Sequence, residues 1–354
     1  MHALDDPAAL TDQDTSGMLG CVDRLPEVIE AAFARGKACS LPSGTFDMVL
    51  VCGMGGSAIS GDVLRTWALD AAPVPVLVHR GDVLPAYVGA RCLLICLTYS
   101  GNTAETVSTL QQAIARGVST VVISSGGQAV ELARSAGLPV VDLPGGWQPR
   151  AALGDLLFAL LGVVTSLPGF PAVDVARIAD HLRARRALWA VEVPSALNPA
   201  KRLATALKGR LPFLLGTGPS TEAVAVRWKC QINENAKATA LLGHLPEFTH
   251  NDIVNLTAQG HPDLVLIHFK DPGDTALLQR QRLHTLDLLR PHLGGVQEVE
   301  GEGGDLLTRQ LQMIYLGDYT SVYLGLLNGH DPTPVAAIGE LKRRMALALE
   351  ENNA

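Results

Sequence analysis

Three hydroxyl side chains, Thr98, Ser100 and Thr103, crowd one short segment, LTYSGNTAETV, around Gly101 and Asn102. The segment leaves an apolar run and enters a helical pattern. Hydroxyls together with the free N–H groups of a helix start bind a phosphate without a fixed cation or metal. Helix capping by Ser or Thr, with Glu105 nearby, accounts for one of the three and not for all of them. A second turn, VCGMGGSAISGD, has the same strand-to-helix setting. Gly53, Gly55 and Gly56 carry no Cβ, so the backbone there lets a ligand approach closely. Ser57 adds a hydroxyl beside the positive end of the helix dipole. That combination suits an anion, most naturally a phosphate. It is not a nucleotide motif. No GxxxxGK[ST] occurs, and Ser57 and Ala58 stand where a dinucleotide fingerprint needs its last Gly. No acidic residue closes the following strand, VPVLVHRGD. A tight turn with no ligand competes with either loop taken alone. Two such loops at the carboxyl ends of strands in one sheet point to a single crevice.

A third cluster lies in WKCQINENAKATA, Trp228 to Ala240. Trp228, Ile232 and Ala236 give a helix a buried side. Asn233, Glu234, Asn235 and Lys237 taken alone read as a solvated face. An Asn-Glu-Asn run is a poor helix interior, so the helix is expected to end at a polar site. HLPEFTHNDIV follows, with His250 flanked by Thr249, Asn251 and Asp252. Any one of the ten histidines is more often structural than catalytic. His250 is set apart by its polar neighbours and by following soon after Glu234.

These residues need elements to hold them. GMLGCVDRLPEVIEAAFARG has helical apolar spacing and predicts one amino-terminal amphipathic helix. Apolar runs then recur in FDMVLVCG, VPVLVH, CLLICLTYS, STVVISS and LPVVDLP, with helical segments such as AETVSTLQQAIARG between several of them. Near-continuous apolar strands alternating with helices mean a parallel sheet covered on both faces, a doubly wound α/β unit over roughly residues 40 to 150. From Ala151 to about Lys208 the pattern is helical, punctuated by Pro168, Pro171 and Pro194. A second alternation follows through LPFLLGTG, AVAVRWKCQINENAK, DLVLIHFKDP, LLQRQRLHTLDLLR, GVQEVEG and LLTRQLQMIYLGDYTSVYLGLL. The two halves read as an architectural duplication without a strong residue-level repeat. PTPVAAIGELKRRMALALE is one more helix, with Pro332 and Pro334 near its start.

Composition removes several function classes. A chain of 354 residues with 47% hydrophobic and 18% charged residues builds a sizeable core and is not disordered. A formal charge of −7 argues against a nucleic-acid or anionic-membrane partner, while local groups that reverse the field still allow an anionic small substrate. The cysteines, Cys21, Cys39, Cys52, Cys92, Cys96 and Cys230, form no CxxC pair, so neither a zinc nor a redox motif is visible. Cys92 and Cys96 lie in the run RCLLICL and read as buried inert thiols. MHALDDPAAL is not a signal peptide, and no apolar run reaches a membrane span. A cytoplasmic location is expected.

GMGGSAISGD, TYSGNTAET, QPRAALG, RWKCQINENAK, PEFTHND and DPTPVAAIGELK occur in that order across nearly the whole chain. Together they resemble the bifunctional phosphoglucose/phosphomannose isomerases, built from two sugar isomerase (SIS) domains. The resemblance implies two doubly wound parallel-sheet SIS domains, flavodoxin-like three-layer α/β/α units, with amino-terminal, linking and carboxyl-terminal helices. The corresponding segments are 1–40, 41–150 (first SIS domain), 151–208 (helical linker), 209–330 (second SIS domain) and 331–354. It implies that Gly56 and Ser57 match the first substrate loop and that Thr98, Ser100 and Thr103 match the phosphate loop. Arg150 in QPRAALG matches an arginine reaching the reacting carbons, Glu234 the catalytic base, and His250 a histidine assigned to ring opening. Lys342 in IGELKRR matches a lysine near the sugar ring. It further implies a homodimer with the site at the subunit interface, the histidine arriving from the neighbouring subunit, and a place in carbohydrate metabolism (glycolysis and gluconeogenesis). There are departures from the family pattern: Thr98 stands where Ser is usual, and PEFTHND replaces PELNHNE, which alters the surroundings of His250 through Thr249 and Asp252.

The chemistry is consistent with this. An aldose–ketose isomerase opens a cyclic hemiacetal, moves a proton between C2 and C1 and stabilises an enediolate. Glu234 is a carboxylate that fits the proton transfer, and His250 supplies an imidazole, the side-chain type suited to acid/base work in ring opening. Arg150 keeps a fixed positive charge for the oxyanion and, with the loop amides, reverses the local field. No cofactor and no metal are expected. The substrate expected is a phosphorylated hexose: glucose 6-phosphate and mannose 6-phosphate interconverting with fructose 6-phosphate. A non-catalytic phosphosugar-binding SIS sensor is the alternative. It is disfavoured because Glu234 and His250 are both present and only a short acidic segment precedes the first unit. Another SIS enzyme is a third reading, although an amidotransferase needs an amino-terminal Cys and the chain starts MHALDD. Thr333 in DPTPV is a candidate for making room for rotation about C2.

Overall fold

The computed structural model describes residues 3–352, with side chains as far as Met345. Met1 and His2, on which the reading of the amino terminus partly rests, and the last two residues of the carboxyl-terminal segment lie outside the described residues. A short helix α1 (Pro7–Gln13) precedes α2 (Met18–Asp23) and α3 (Leu25–Lys37). The latter two are the stretch expected as one helix. It breaks at Arg24 because Pro26 has no N–H to continue the ladder and is suited to a first helical turn.

The first sheet is parallel throughout. Its elements are β1 (Met48–Cys52), α4 (Gly55–Ala68), β2 (Val76–His79), β3 (Cys92–Leu97), α5 (Ala104–Ala115), β4 (Ser119–Ser124), α6 (Gly127–Ser135) and β5 (Val140–Asp142). The strand order is β2-β1-β3-β4-β5, the flavodoxin-like order, with its switch point between β1 and β3. All six residues of β3 are buried, as a strand covered on both faces must be. Burial pushes the thiols of Cys92 and Cys96 up to about 11 and about 12, so they are inert as expected.

Helices α7 (Leu153–Val164), α8 (Val175–Trp189) and α9 (Pro199–Leu207) link to the second sheet. Every residue of α7 is buried, which matches a helix apolar all round. The second sheet contains β6 (Leu211–Thr217), α10 (Gly218–Ala236), β7 (Leu241–Leu245), α11 (Asp252–Ala258), β8 (His261–Lys270), α12 (Ala276–Leu289) and β9 (Leu293–Glu300). Its parallel order, β7-β6-β8-β9, repeats the first sheet without a fifth strand. β7 is absent from the strands read in the sequence. LLGHL is short, carries Gly and His, and lies at the sheet edge with Leu241 exposed, so its apolar signal is weak. Last come α13 (Leu306–Leu327) and α14 (Ala336–Asn352).

The two α/β domains share one core. A continuous apolar cluster runs from Val51 and Ile95 of the first sheet through Leu156 to Leu214 and Ile267 of the second, closed by Tyr319. Each such side chain contributes about 1.5–3 kcal/mol when fully buried. Helix α10 lies at the centre of this arrangement, packed on α4 and α13. One polar side of it is therefore not solvated: Arg227, Gln231 and Asn235 are all buried against α13, whereas Asn233 and Lys237 are exposed.

Candidate active site

The turn after β1 opens α4 through Gly55, whose positive φ of 51° an L side chain seldom adopts. The missing side chains of the other two glycines also let the turn pack tightly on its neighbours. A Cβ on Gly53 would stand 2.6 Å from the Leu97 carbonyl oxygen, and one on Gly56 would stand 3.1 Å from that of Pro149. These close approaches draw the turn against β3 on one side and against Arg150 on the other. Ser57 is 5% exposed at the start of α4.

At the carboxyl end of β3 the hydroxyl cluster forms beside it. The Thr98 hydroxyl donates to that of Thr103 at 3.4 Å, and the Asn102 N–H donates to Ser100 Oγ at 3.3 Å. Thr103 is the N-cap residue of α5, yet its side chain makes no capping bond. Capping therefore does not absorb even the one hydroxyl assigned to it. Thr106, in the same first turn, is buried with its hydroxyl unpartnered.

Arg150 enters from a short 3-10 turn, Pro149–Ala151, and is 4% exposed. Its Nε donates to Asn235 Oδ1 at 2.7 Å, and its Nη2 donates to the carbonyls of Pro332 (2.9 Å) and Thr333 (2.7 Å). Its Nη1 lies 3.5 Å from Glu234 Oε2. Burial pushes the guanidinium below its usual range, and the Glu234 carboxylate opposes that shift. The helix carrying Glu234 ends where the Asn-Glu-Asn run predicts: Lys237 caps it in the left-handed region, at φ 53°. Lys237 Nζ donates to the carbonyls of Glu234 (2.5 Å) and Pro332 (2.8 Å). Beside Glu234 a cavity of about 330 Å³ is walled by Asn233, Lys237, Pro334, Val335 and Ile338.

Gly56, Ser57, Thr98, Ser100, Thr103, Arg150 and Glu234 are thus gathered around the switch point of the first sheet. His250 is not. The exposed His250 closes a 3-10 turn after β7, and Leu245 at the end of β7 pairs in register with Thr217, at the start of α10. Glu234 stands near the other end of that helix, roughly 24 Å along its axis at 1.5 Å per residue. Nearness in sequence does not carry over, because the helix runs back across the sheet between them. Lys342 is exposed on α14, one turn beyond Ile338.

The sequence reading assigned no role to Asn235, Arg227, Asp318 or Ser321. One signal was available: Asp318 is the one charged residue in the apolar run MIYLGDYTSVYLGLL, and a charge so placed must be paired. The equivalent crevice of the second sheet holds the chain's own carboxylate. Asp274 accepts from the Ser220 hydroxyl at 2.8 Å and from the Asp271 N–H at 3.1 Å, and burial pushes its carboxyl up. Among the described residues no group of three or more His, Cys, Asp and Glu is placed to hold a metal ion, and no helix is long and apolar enough to cross a membrane.

Residues 196–345 match the profile of the bacterial phospho-glucose isomerase C-terminal SIS domain. A bifunctional phosphoglucose/phosphomannose isomerase of Caldicellulosiruptor bescii is 39% identical over 343 residues, covering 93% of this chain and 99% of that one. The chain belongs to the bifunctional phosphoglucose/phosphomannose isomerase family. Another family member, from Aquifex aeolicus, is 33% identical and covers 84% of this chain and 90% of its own. The crystal structure of a hypothetical protein from Thermus thermophilus shares the fold, with a TM-score of 0.74 at 17% identity over 98% of this chain and 94% of that one. Membership in this isomerase family agrees with the resemblance drawn from the ordered segments GMGGSAISGD to DPTPVAAIGELK.

Proposed function

We propose that this chain interconverts glucose 6-phosphate and mannose 6-phosphate with fructose 6-phosphate by proton transfer through a cis-enediol. The observation that carries the reading is the Arg150–Glu234 pair at 3.5 Å, beside the turn at Gly56. The hydroxyls of Thr98, Ser100 and Thr103 and the start of α5 take the phosphate, and Gly56 and Ser57 hold the sugar end. Glu234 removes the C2 proton of the open aldose and returns it to C1. The electron pair from the C2–H bond becomes the C1=C2 bond as the C1=O π pair moves onto O1, where Arg150 balances the charge; protonation at C1, with passage of the O2 proton to O1, completes the ketose. No step uses a metal, so a chelator leaves the rate unchanged.

Ring opening falls to His250, supplied by a second copy of the chain in a homodimer. The reach along α10 supports this: the His250 of the same chain lies too far from Glu234 for both to act on one hexose. Lys342, on the helix past the cavity wall, sits near the sugar ring. Residues 41–150 and 209–330 are the two SIS units.

A coupled assay with each aldose phosphate, with and without chelator, tests the reading. Glu234→Gln loses roughly 10²–10⁴-fold or more in turnover while still binding fructose 6-phosphate. Near-normal turnover in that variant removes Glu234 as the base. Tight binding by the unmodified protein with no product favours the sensor.

A further inference from the structure

We propose that Asn235 is a positioning residue that aims Arg150 at the reacting atoms without adding a second negative charge to that of Glu234; this rests on the isomerase reading above. A guanidinium has five N–H donors. The single Nε donor goes to Asn235 Oδ1 at 2.7 Å, and Nη2 goes to the carbonyls of Pro332 and Thr333 at 2.9 and 2.7 Å. The two donors of Nη1 remain, on the nitrogen that faces Glu234 at 3.5 Å. The protein thereby engages three of the five donors, on two of the three nitrogens, and presents the third nitrogen to the substrate.

Asn235 is itself fixed. It is fully buried, and its Nδ2 donates to Ser321 Oγ at 2.9 Å, whose hydroxyl donates onward to the Asp318 carbonyl at 2.8 Å. The chain of bonds runs from α13 through α10 to the guanidinium. The chemical choice at position 235 is also informative. An Asp there would accept from Nε equally well, but its charge would remain beside the guanidinium after Glu234 has taken up the proton, and would oppose the developing enediolate. A neutral amide orients without adding that charge.

Steady-state kinetics with fructose 6-phosphate separate this role from a merely structural one. Asn235→Ala lowers kcat about 10- to 100-fold with KM changed less than about threefold, because Arg150 acts on the transition state. Asn235→Asp lowers kcat by at least as much although the acceptor is retained. In an Arg150→Met background, Asn235→Ala adds less than about twofold, since its effect passes through Arg150. Full multiplication of the two effects, or an unchanged kcat in Asn235→Ala, overturns the proposal. Should Asn235→Ala fail to fold by thermal melting, Ser321→Ala replaces it. That variant loses only the brace and is expected to lower kcat a few-fold at unchanged KM; an unchanged kcat counts against the proposal. Normal turnover of Arg150→Met, by contrast, removes the isomerase site itself rather than the role of Asn235.

Discussion

At the scale of single residues, burial decides what each charged or titratable group can do. Arg150 is almost wholly enclosed, and a lysine in its place would offer no planar fork to the two carbonyls and Asn235. His268 on β8 is a second case. It is fully buried, its Nε2 lies 2.8 Å from Thr217 Oγ1, and burial, assisted by the charge of Arg282, pushes it down to about 3. The unfolded chain takes up a proton there near pH 6.5, whereas the folded chain does so only near pH 3. Between those values the unfolded state binds more protons, so stability is lost as the pH falls. Urea midpoints at pH 7 and pH 5 are expected to differ more in the unmodified protein than in His268→Gln. Asp274 is shifted the opposite way by its own burial and contributes the opposite slope. The difference between the two proteins, rather than the raw slope, isolates His268. Equal slopes would mean that His268 is not buried neutral.

Among elements, the decisive pairing is α10 with α13. Arg227 donates from Nε to Asp318 Oδ1 at 3.1 Å and from Nη2 to Oδ2 at 2.9 Å, and Nη2 also reaches the Arg150 carbonyl at 2.7 Å. Gln231 adds a bond to the same carboxylate at 2.8 Å. A buried pair of this kind gives little net stability against an apolar substitute, but breaking it leaves a buried charge alone. Asp318→Asn is expected to cost about 3–5 kcal/mol in urea denaturation and to lower activity by loosening the turn that carries Arg150. A loss below about 1 kcal/mol would mean that the pair is solvated in the working protein. This pairing also explains a limit of sequence reading. Trp228, Ile232 and Ala236 correctly marked one face of α10 as buried. Asn235, which taken alone read as part of a solvated face, is buried, and Arg227 and Gln231 were given no role, because the partners of all three lie some 86 to 91 residues away on another helix.

For the whole molecule, the proposal to test is that Glu234 and His250 act on one substrate. They stand toward opposite ends of the second sheet, so a site that needs both takes them from two copies. Co-expressed Glu234→Gln and His250→Asn chains carrying different tags test this. Each homodimer is inactive at both sites, and each mixed dimer has one site with both residues intact. With random pairing, about a quarter of the normal activity is expected to return. A mixture no more active than the separate variants would mean that both residues act within one chain or that His250 does not act. The glycine-rich turns, the hydroxyl loop, β1 through β5 and the ending of α10 after Glu234 were all legible, because each depends on a few residues in local sequence.

The sequence alone determined the alternation of strands and helices and the residue types at the site, since periodicity and turn chemistry are local properties. It could not say that Gly53 and Gly56 spend their missing side chains on β3 and the Arg150 turn, or that Asn235 holds Arg150. Nor could it say that His250 lies a helix length from Glu234. Those follow from which surfaces touch, and contact between residues far apart in the chain is fixed only when the two sheets close around α10 and its buried polar groups must each find a partner.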